Sequence, residues 1–376
     1  MSAPIAGLPN TADVIVIGAG IHGCSTALHL ARRGLKVIVI EKDYAGRHSS
    51  GVNAGGVRML SRHVAEIPLS LASMGLWEHI EDLVGDDCGF ESHGQVLVAE
   101  NEEEMPAMRA RVAELRMLGY DHEELIDAVE LRRLVPAVAD TCPGGIVSRR
   151  DGAAIPFRAT QAFRRAAIEA GATVMEGVVV SGLVRSGSDW RVVTSRGQFT
   201  ASKIVNAAGA WADRIAASVG EPVPVEVVAP MLMITDQVDA FIKPVVILRS
   251  RLLSFKQFPN GTVMIGGGHL GRPDRDSNET VLDWRKLQLS AQTVWELFPV
   301  MRAARIVRAW AGIEAQMPDR IPVFGPSRRA EGIYHQFGFS AHGFQLGPGA
   351  GATMAELVAT GHTNMPIDAF AVGRFQ

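Results

Sequence analysis

The stretch Asp13-Val14-Ile15-Val16-Ile17-Gly18-Ala19-Gly20-Ile21-His22-Gly23 decides the fold. Val14 to Ile17 is a short apolar run of the kind that forms a buried parallel strand. It ends at Gly18, and the spacing predicts a helix from Ile21 to about Arg33. Each glycine has a physical reason: Gly18 for a tight turn, Gly20 so that a pyrophosphate can approach the backbone, Gly23 for packing helix on strand. The first helical amides, at Ile21 and His22, then face the phosphates, which the helix dipole also favours. A second apolar strand, Lys36 to Ile40, stops at Glu41, about 20 residues on, where an acid holds a ribose 2′-hydroxyl. Strand, glycines, helix, second strand and terminal acid agree on a dinucleotide site. Glu41 argues against a 2′-phosphate and does not separate FAD from NAD.

Working outward, Lys42 to Gly56 is polar and glycine-rich, with neither helical nor strand periodicity. It contains Lys42, Arg47-His48-Ser49-Ser50 and Asn53-Ala54-Gly55-Gly56. A loop of this length in a compact domain is usually functional. It starts beside the ribose, and its small residues let backbone run along a long cofactor. FAD needs such a loop there; NAD does not. Arg58 follows, at the start of an expected helical region reaching about Leu83, and reads as either a ligand-binding or a surface cation.

At 376 residues the chain is long enough for two lobes, and 47% hydrophobic with 20% charged residues is the balance of an ordinary soluble enzyme. A net charge of −3 gives no reason to expect nucleic acid or an anionic membrane surface as a partner. Cys24, Cys88 and Cys142 have no CxxC spacing, which excludes a disulfide framework and a zinc ribbon, so no metal is expected. Met1 to Asn10 lacks the basic and long apolar regions of a signal peptide, and no apolar run approaches the roughly 18 residues of a membrane span. The expected location is cytoplasmic.

Further along, Gly94 to Ala99 reads as a strand, Glu102 to Leu118 as an exposed helix and Val129 to Val135 as a short one. The acids Glu102 to Glu104 sit in a first helical turn and need no catalytic role. A helix over Phe157 to Ala170 precedes a strand, Thr173 to Glu176. A meander follows over Val178 to Arg185, Trp190 to Thr194 and Gln198 to Ala201. A separate strand, Lys203 to Asn206, leads into Ala207-Ala208-Gly209-Ala210-Trp211, a second small-residue turn from strand to helix. Val223 to Met264 reads as an antiparallel sheet suited to substrate contacts. A helix (Val281 to Leu297), a strand (Arg302 to Ala311) and a glycine-rich return around Gly338 to Gly349 complete the chain.

Taken in order, these stretches resemble the FAD-dependent sarcosine, glycine and D-amino acid oxidase superfamily, nearest to its sarcosine oxidase and heteromeric-dehydrogenase beta-subunit branch. The marks are Gly18 to Glu41, Asn53 to Arg58, Asn206 to Trp211, Pro318-Asp319 and Gly338-Phe339-Ser340-Ala341-His342-Gly343-Phe344. Pro366 to Phe370 with Arg374-Phe375 matches the family's closing pattern. The resemblance implies an α/β architecture: a Rossmann-like, glutathione-reductase-type FAD domain (1–85, 145–220 and 315–376) and an antiparallel-sheet substrate domain (86–144 and 221–314). It implies cofactor contacts from the glycine motif, the 42–56 loop, Val179, Ala207, Ala208, Gly209, Trp211 and Gly312. Backbone at Gly343, Phe344, Gln345 and Leu346 is expected to face the flavin's pyrimidine end, where helix-end amides offset the negative charge of reduced flavin.

The resemblance further implies that Arg58 holds a substrate carboxylate, aided by one or more of Arg249, Arg251, Lys256, His269 and His342. Lys256 is also the candidate for promoting reaction with oxygen, against its reading as a solvated strand lysine. Some relatives attach flavin through a cysteine before the Pro-Asp motif. Arg302 to Asp319 has none, so FAD is expected to be non-covalent. The implied reaction is oxidation of a C–N bond in a small amino acid, best a secondary amine such as sarcosine, iminodiacetate, a proline derivative or an opine, with oxygen reduced to peroxide. A dehydrogenase subunit passing electrons to a partner, and a flavin-bound assembly factor without turnover, remain the alternatives. Homo-oligomer and heteromeric subunit are both open.

Overall fold

A computed structural model describes residues 10–375. The stretch read for a signal peptide therefore lies, but for Asn10, outside the described residues. Strand β1, Thr11–Ile17, is buried from Val14 onward. It pairs in parallel on both sides, Ile17 standing opposite Asn206 of Gly197–Asn206 and opposite Ile40 of β2, Val37–Ile40. A strand covered on both faces and both edges meets no water, so an unbroken apolar run is stable there. Helix α1, Ile21–Ala31, follows the glycine turn.

The first sheet runs in the order Val323–Pro326, Ile333–Phe337, Gly197–Asn206, β1, β2, Thr173–Met175. Helix α1 and the last helix, Gly343–Thr360, share one apolar core on its face. The second sheet is built around the long strand Glu226–Gln237, which takes antiparallel partners Thr262–Gly266, Leu270–Asp274, Ile306–Ala311 and Glu314–Gln316. Among the described residues its one parallel pairing joins Val245–Leu248 to Gln95–Ala99. No helix among the described residues is long and apolar enough to cross a membrane.

Several elements differ from the sequence reading. The expected strands 198–201 and 203–206 are one strand, Gly197–Asn206, with no breaker at Ser202. Its first half pairs antiparallel with Asp189–Thr194 and its second half enters the parallel sheet beside β1. The helix expected from Arg58 begins only at Ile67. Before it, the buried Asp151 carboxylate takes the amides of Met59 and Leu60 at 2.8 and 2.9 Å, and Ser61 has φ 59°. The hairpin Leu270–Asp274 with Glu279–Val281 was not foreseen, so the following helix starts at Trp284, capped by Asp283. The strand expected from Arg302 starts at Ile306, after a short turn of helix over Pro299–Ala303. The divisions drawn at 145 and 315 fall inside strands of the second sheet, Gly144–Ser148 and Glu314–Gln316.

Candidate functional site

A cavity of about 800 Å³ opens between the two sheets, beyond the carboxyl ends of β1, β2 and Gly197–Asn206. That volume lies toward the upper end of the roughly 300–1,000 Å³ of small-molecule sites, and the strand ends are where open α/β sheets bind ligands.

At one end the glycine turn lines the wall. A Cβ on Gly18 would sit 2.4 Å from the carbonyl oxygen of Ala207, and Gly18 has φ +104°. One on Gly20 would meet Ser50 Oγ at 2.8 Å. The Ile21 amide donates to Ser50 Oγ at 3.0 Å. Glu41 Oε2 accepts the Ala19 amide at 2.8 Å and Oε1 the Asp43 amide at 2.9 Å, so the carboxylate is fixed at the strand end. Burial raises the pKa of Glu41, and those two amides oppose the rise. Lys42 Nζ lies 3.9 Å from the Trp211 ring centre and bonds Asn278 at 2.6 Å, and His48 bonds Asp43 at 2.8 Å. His22, Arg47, Ser49, Asn53, Ala54 and Gly55 line the same cavity. So do Gly56, Val179, Ala208, Gly209, Gly312 and Phe344. A crowded glycine cradle with a fixed carboxylate and a long small-residue wall fits a dinucleotide cofactor.

The other end is polar and built from three segments. Arg58 lines the cavity and donates to the Leu60 carbonyl at 2.6 Å; its Nε and Nη2 have no partner among the described residues. Arg62, 1% exposed, donates to the carbonyls of Arg58 and His342 and to Gln345 Oε1. Burial lowers its pKa to about 9, helped by Arg58 and opposed by Glu66 and Asp151. His342 Nδ1 lies 3.0 Å from Glu66 Oε2. Burial lowers the pKa of His342 to about 4 despite that carboxylate, so the ring is neutral near pH 7. Glu314 stands on the same wall, accepting the Ala341 amide.

The cavity gathers most of the expected residues but not all. Gly23 packs behind the turn, where a Cβ would lie 1.9 Å from the Gly18 carbonyl oxygen. Gln345 and Leu346 are buried away from the cavity: the Gln345 side chain answers Arg62 and Ser70, and its carbonyl takes Ser73 and Trp77. His269 is outside the lining, its pKa lowered by burial and by Lys286. Arg251 touches the cavity, but its guanidinium is committed to Glu100 and Glu296. Arg249 is exposed at the rim. Lys256 is 6% exposed, not the solvated strand lysine of the alternative reading. It stays outside the lining, yet its Nζ lies 3.0 Å from where a Cβ on Gly55 would stand. Burial lowers its pKa to about 8.

Arg62, Glu66 and Glu314 were missed. Arg62 and Glu66 fall four and eight residues after Arg58 in a stretch expected to be helical, where such charges read as solvent-facing. Glu314 has no motif around it; a lone acid between Ile313 and Ala315 was the only signal.

Comparison with known proteins gives a consistent answer. A family model described as DAO, FAD dependent oxidoreductase, matches residues 13–357. The beta subunit of sarcosine oxidase from Rhodobacter capsulatus is 26% identical over 374 residues, covering 97% of this chain and 88% of that protein. Glycine oxidase from Geobacillus kaustophilus is 26% identical over 370 residues, covering 96% and 97%. Among solved structures, L-proline dehydrogenase from P. horikoshii superposes with a TM-score of 0.91 at 29% identity, covering 98% of both chains.

Proposed function

The chain belongs to the DAO family of FAD-dependent oxidoreductases, and from that premise we propose that it oxidises the C–N bond of a small amino acid, best a secondary amine. The observation that carries this reading is Arg58, a guanidinium with unspent donors on the cavity wall. A carboxylate is the partner that such a planar fork meets bidentately. The named activities of the relatives, on sarcosine, glycine and proline, point to the same class of substrate.

The turn at Gly18 to Ile21, Glu41 and the 42–56 loop would hold the cofactor's nucleotide part, and Gly343 and Phe344 would border its ring system. Bound FAD supplies the two-electron acceptor. The protein's own share is placement. Arg58 holds the carboxylate, so the carbon beside nitrogen is presented in one orientation. Arg62 fixes the backbone of Arg58 and His342 together, so the anchor and the turn before the last helix keep their spacing. Apolar side chains in the same lining, among them Leu97, Met231, Ile247 and Leu248, would keep water out, which favours the neutral form of the amine. The substrate imine then hydrolyses to a carbonyl compound and an amine.

The test is the visible spectrum of the purified chain with sarcosine, glycine, iminodiacetate, proline and an opine, air excluded. A flavin band bleached by one of these supports the reading; a band that none bleaches counts against the substrate class. One relative is a subunit by name, which favours a second reading in which the electrons pass to a partner chain. Readmitting air separates the two: colour returning with peroxide marks an oxidase, and a band that stays bleached marks a dehydrogenase.

A further inference from the structure

Among the described residues that line the cavity only Glu41 and Glu314 are acidic, and Glu41 is spent on the amides of Ala19 and Asp43. Glu314 stands on Glu314–Gln316, a strand paired with Glu226–Gln237, with Val228 opposite Glu314. One of its oxygens takes the Ala341 amide; the other has no hydrogen-bond partner among the described residues. The turn it holds is strained. Ser340 and Ala341 have φ of 50° and 67°, a left-handed region that non-glycine residues adopt only at a cost. The next carbonyl, that of His342, is taken by Arg62, which also binds the Arg58 carbonyl. One turn thus carries a free carboxyl oxygen on one side and the arginine anchor on the other.

That is the charge pattern of a zwitterion. We propose that Glu314 is a catalytic residue that meets the substrate's ammonium nitrogen and accepts its proton, opposite the carboxylate held at Arg58. The inference rests on the amine-oxidising reading above. An amino acid arrives at neutral pH as an ammonium ion, and loss of hydride from the adjacent carbon needs the nitrogen lone pair. In this step an N–H bond breaks, an O–H bond forms on Glu314 and the lone pair is freed; no electrons leave the substrate. Burial raises the pKa of Glu314 to about 7, opposed by the Ala341 amide and Arg320, which suits a proton acceptor working near neutrality. The charged or titratable groups near it are Arg320, His342 in the turn, and Glu226 on the paired strand, opposite Gln316. The Gly209–Trp211 turn brings none.

The test uses two ligands of one shape that differ in charge: glycine betaine and its neutral isostere 3,3-dimethylbutyrate. Their binding to the flavin-loaded protein is followed by the shift of the visible band and by calorimetry, neither of which needs turnover. At pH 8.5 betaine should bind about tenfold more tightly, a conservative share of an ion pair near a protein surface. The preference should shrink at pH 6 and be absent at both pH values in Glu314→Gln, while Glu314→Asp keeps part of it. With the amine that bleaches the flavin, kcat/KM should rise with pH through about 7 in the native protein and lose that limb in Glu314→Gln. Equal binding of the two ligands by the native protein, or a preference that survives in Glu314→Gln, overturns the role of Glu314 alone. If neither ligand binds, the carboxylate site at Arg58 falls and this inference falls with it.

Discussion

The ring of His342 lies 3.0 Å from the carboxylate of Glu66, a side chain with no exposure at all. Its carbonyl is held by Arg62 at 3.1 Å. Residue 342 is therefore fixed at both ends, immediately before the last helix opens at Gly343. A neutral ring here acts as a fixed dipole beside the arginines rather than as a third positive charge. The charges at this end of the cavity are then those of Arg58, Arg62 and Glu66, with Glu314 and Arg320 beside the same turn.

Replacing Arg58 with Ala should raise the apparent KM of an amino-acid substrate by about 10- to 100-fold, the value of one or two charge-assisted hydrogen bonds, with a smaller change in kcat. Steady-state kinetics check this. Unchanged kinetics would remove Arg58 from the site.

Glu41→Ala should weaken FAD binding by roughly 10- to 100-fold, because two backbone amides lose their acceptor along with the proposed ribose contact. The ratio of flavin to protein after gel filtration measures it. Full occupancy in the variant would assign the ribose to another group.

Acid precipitation of the purified protein should leave a colourless pellet and a yellow supernatant. All three cysteines are buried, and none lines the cavity. Colour retained in a washed pellet would demonstrate a covalent bond.

Stability without cofactor should fall as pH drops from about 6.5 toward 4. Burial lowers His22 to about 3, and His29, His48 and His342 to about 4 each. In that window the unfolded chain takes up their protons and the folded chain does not. Asp151, raised to about 6, Glu314, raised to about 7, and Glu41, also raised by burial, act in the opposite sense, but His122 and His269 are lowered as well, so three groups stand against six. The slope is about 1.4 kcal/mol per pH unit for each net proton. Urea midpoints at pH 7 and pH 5 decide the matter; a higher midpoint at pH 5 would reverse the sign.

Much of the nucleotide half was legible because its signals are local. Val14 to Ile17 is apolar throughout, since both faces of β1 are covered, and Gly18 is required by a positive φ and by the Ala207 carbonyl. The long loop after Glu41 stands out by its length and lines the cavity, though its short helix at Ser49–Val52 was not legible. The substrate end was hidden for a different reason. Arg58 to Leu60 is kept out of a helix by Asp151, a side chain about ninety residues away in sequence, and no window of periodicity reaches that far.

The sequence by itself determined the dinucleotide motif, its strand–turn–helix and the position of the glycine turn, because strand, glycines, helix and acid all fall within the single run Asp13 to Glu41. Only the tertiary structure decided which charges share the cavity. Arg251 carries the same charge as Arg58, yet Glu100 and Glu296 neutralise it. Arg62 reaches His342 across 280 positions and Glu66 reaches it across 276. Whether a charged side chain is spent on a partner or left free for a ligand is set by which distant segment packs against it. That is a property of the folded chain, not of its local pattern.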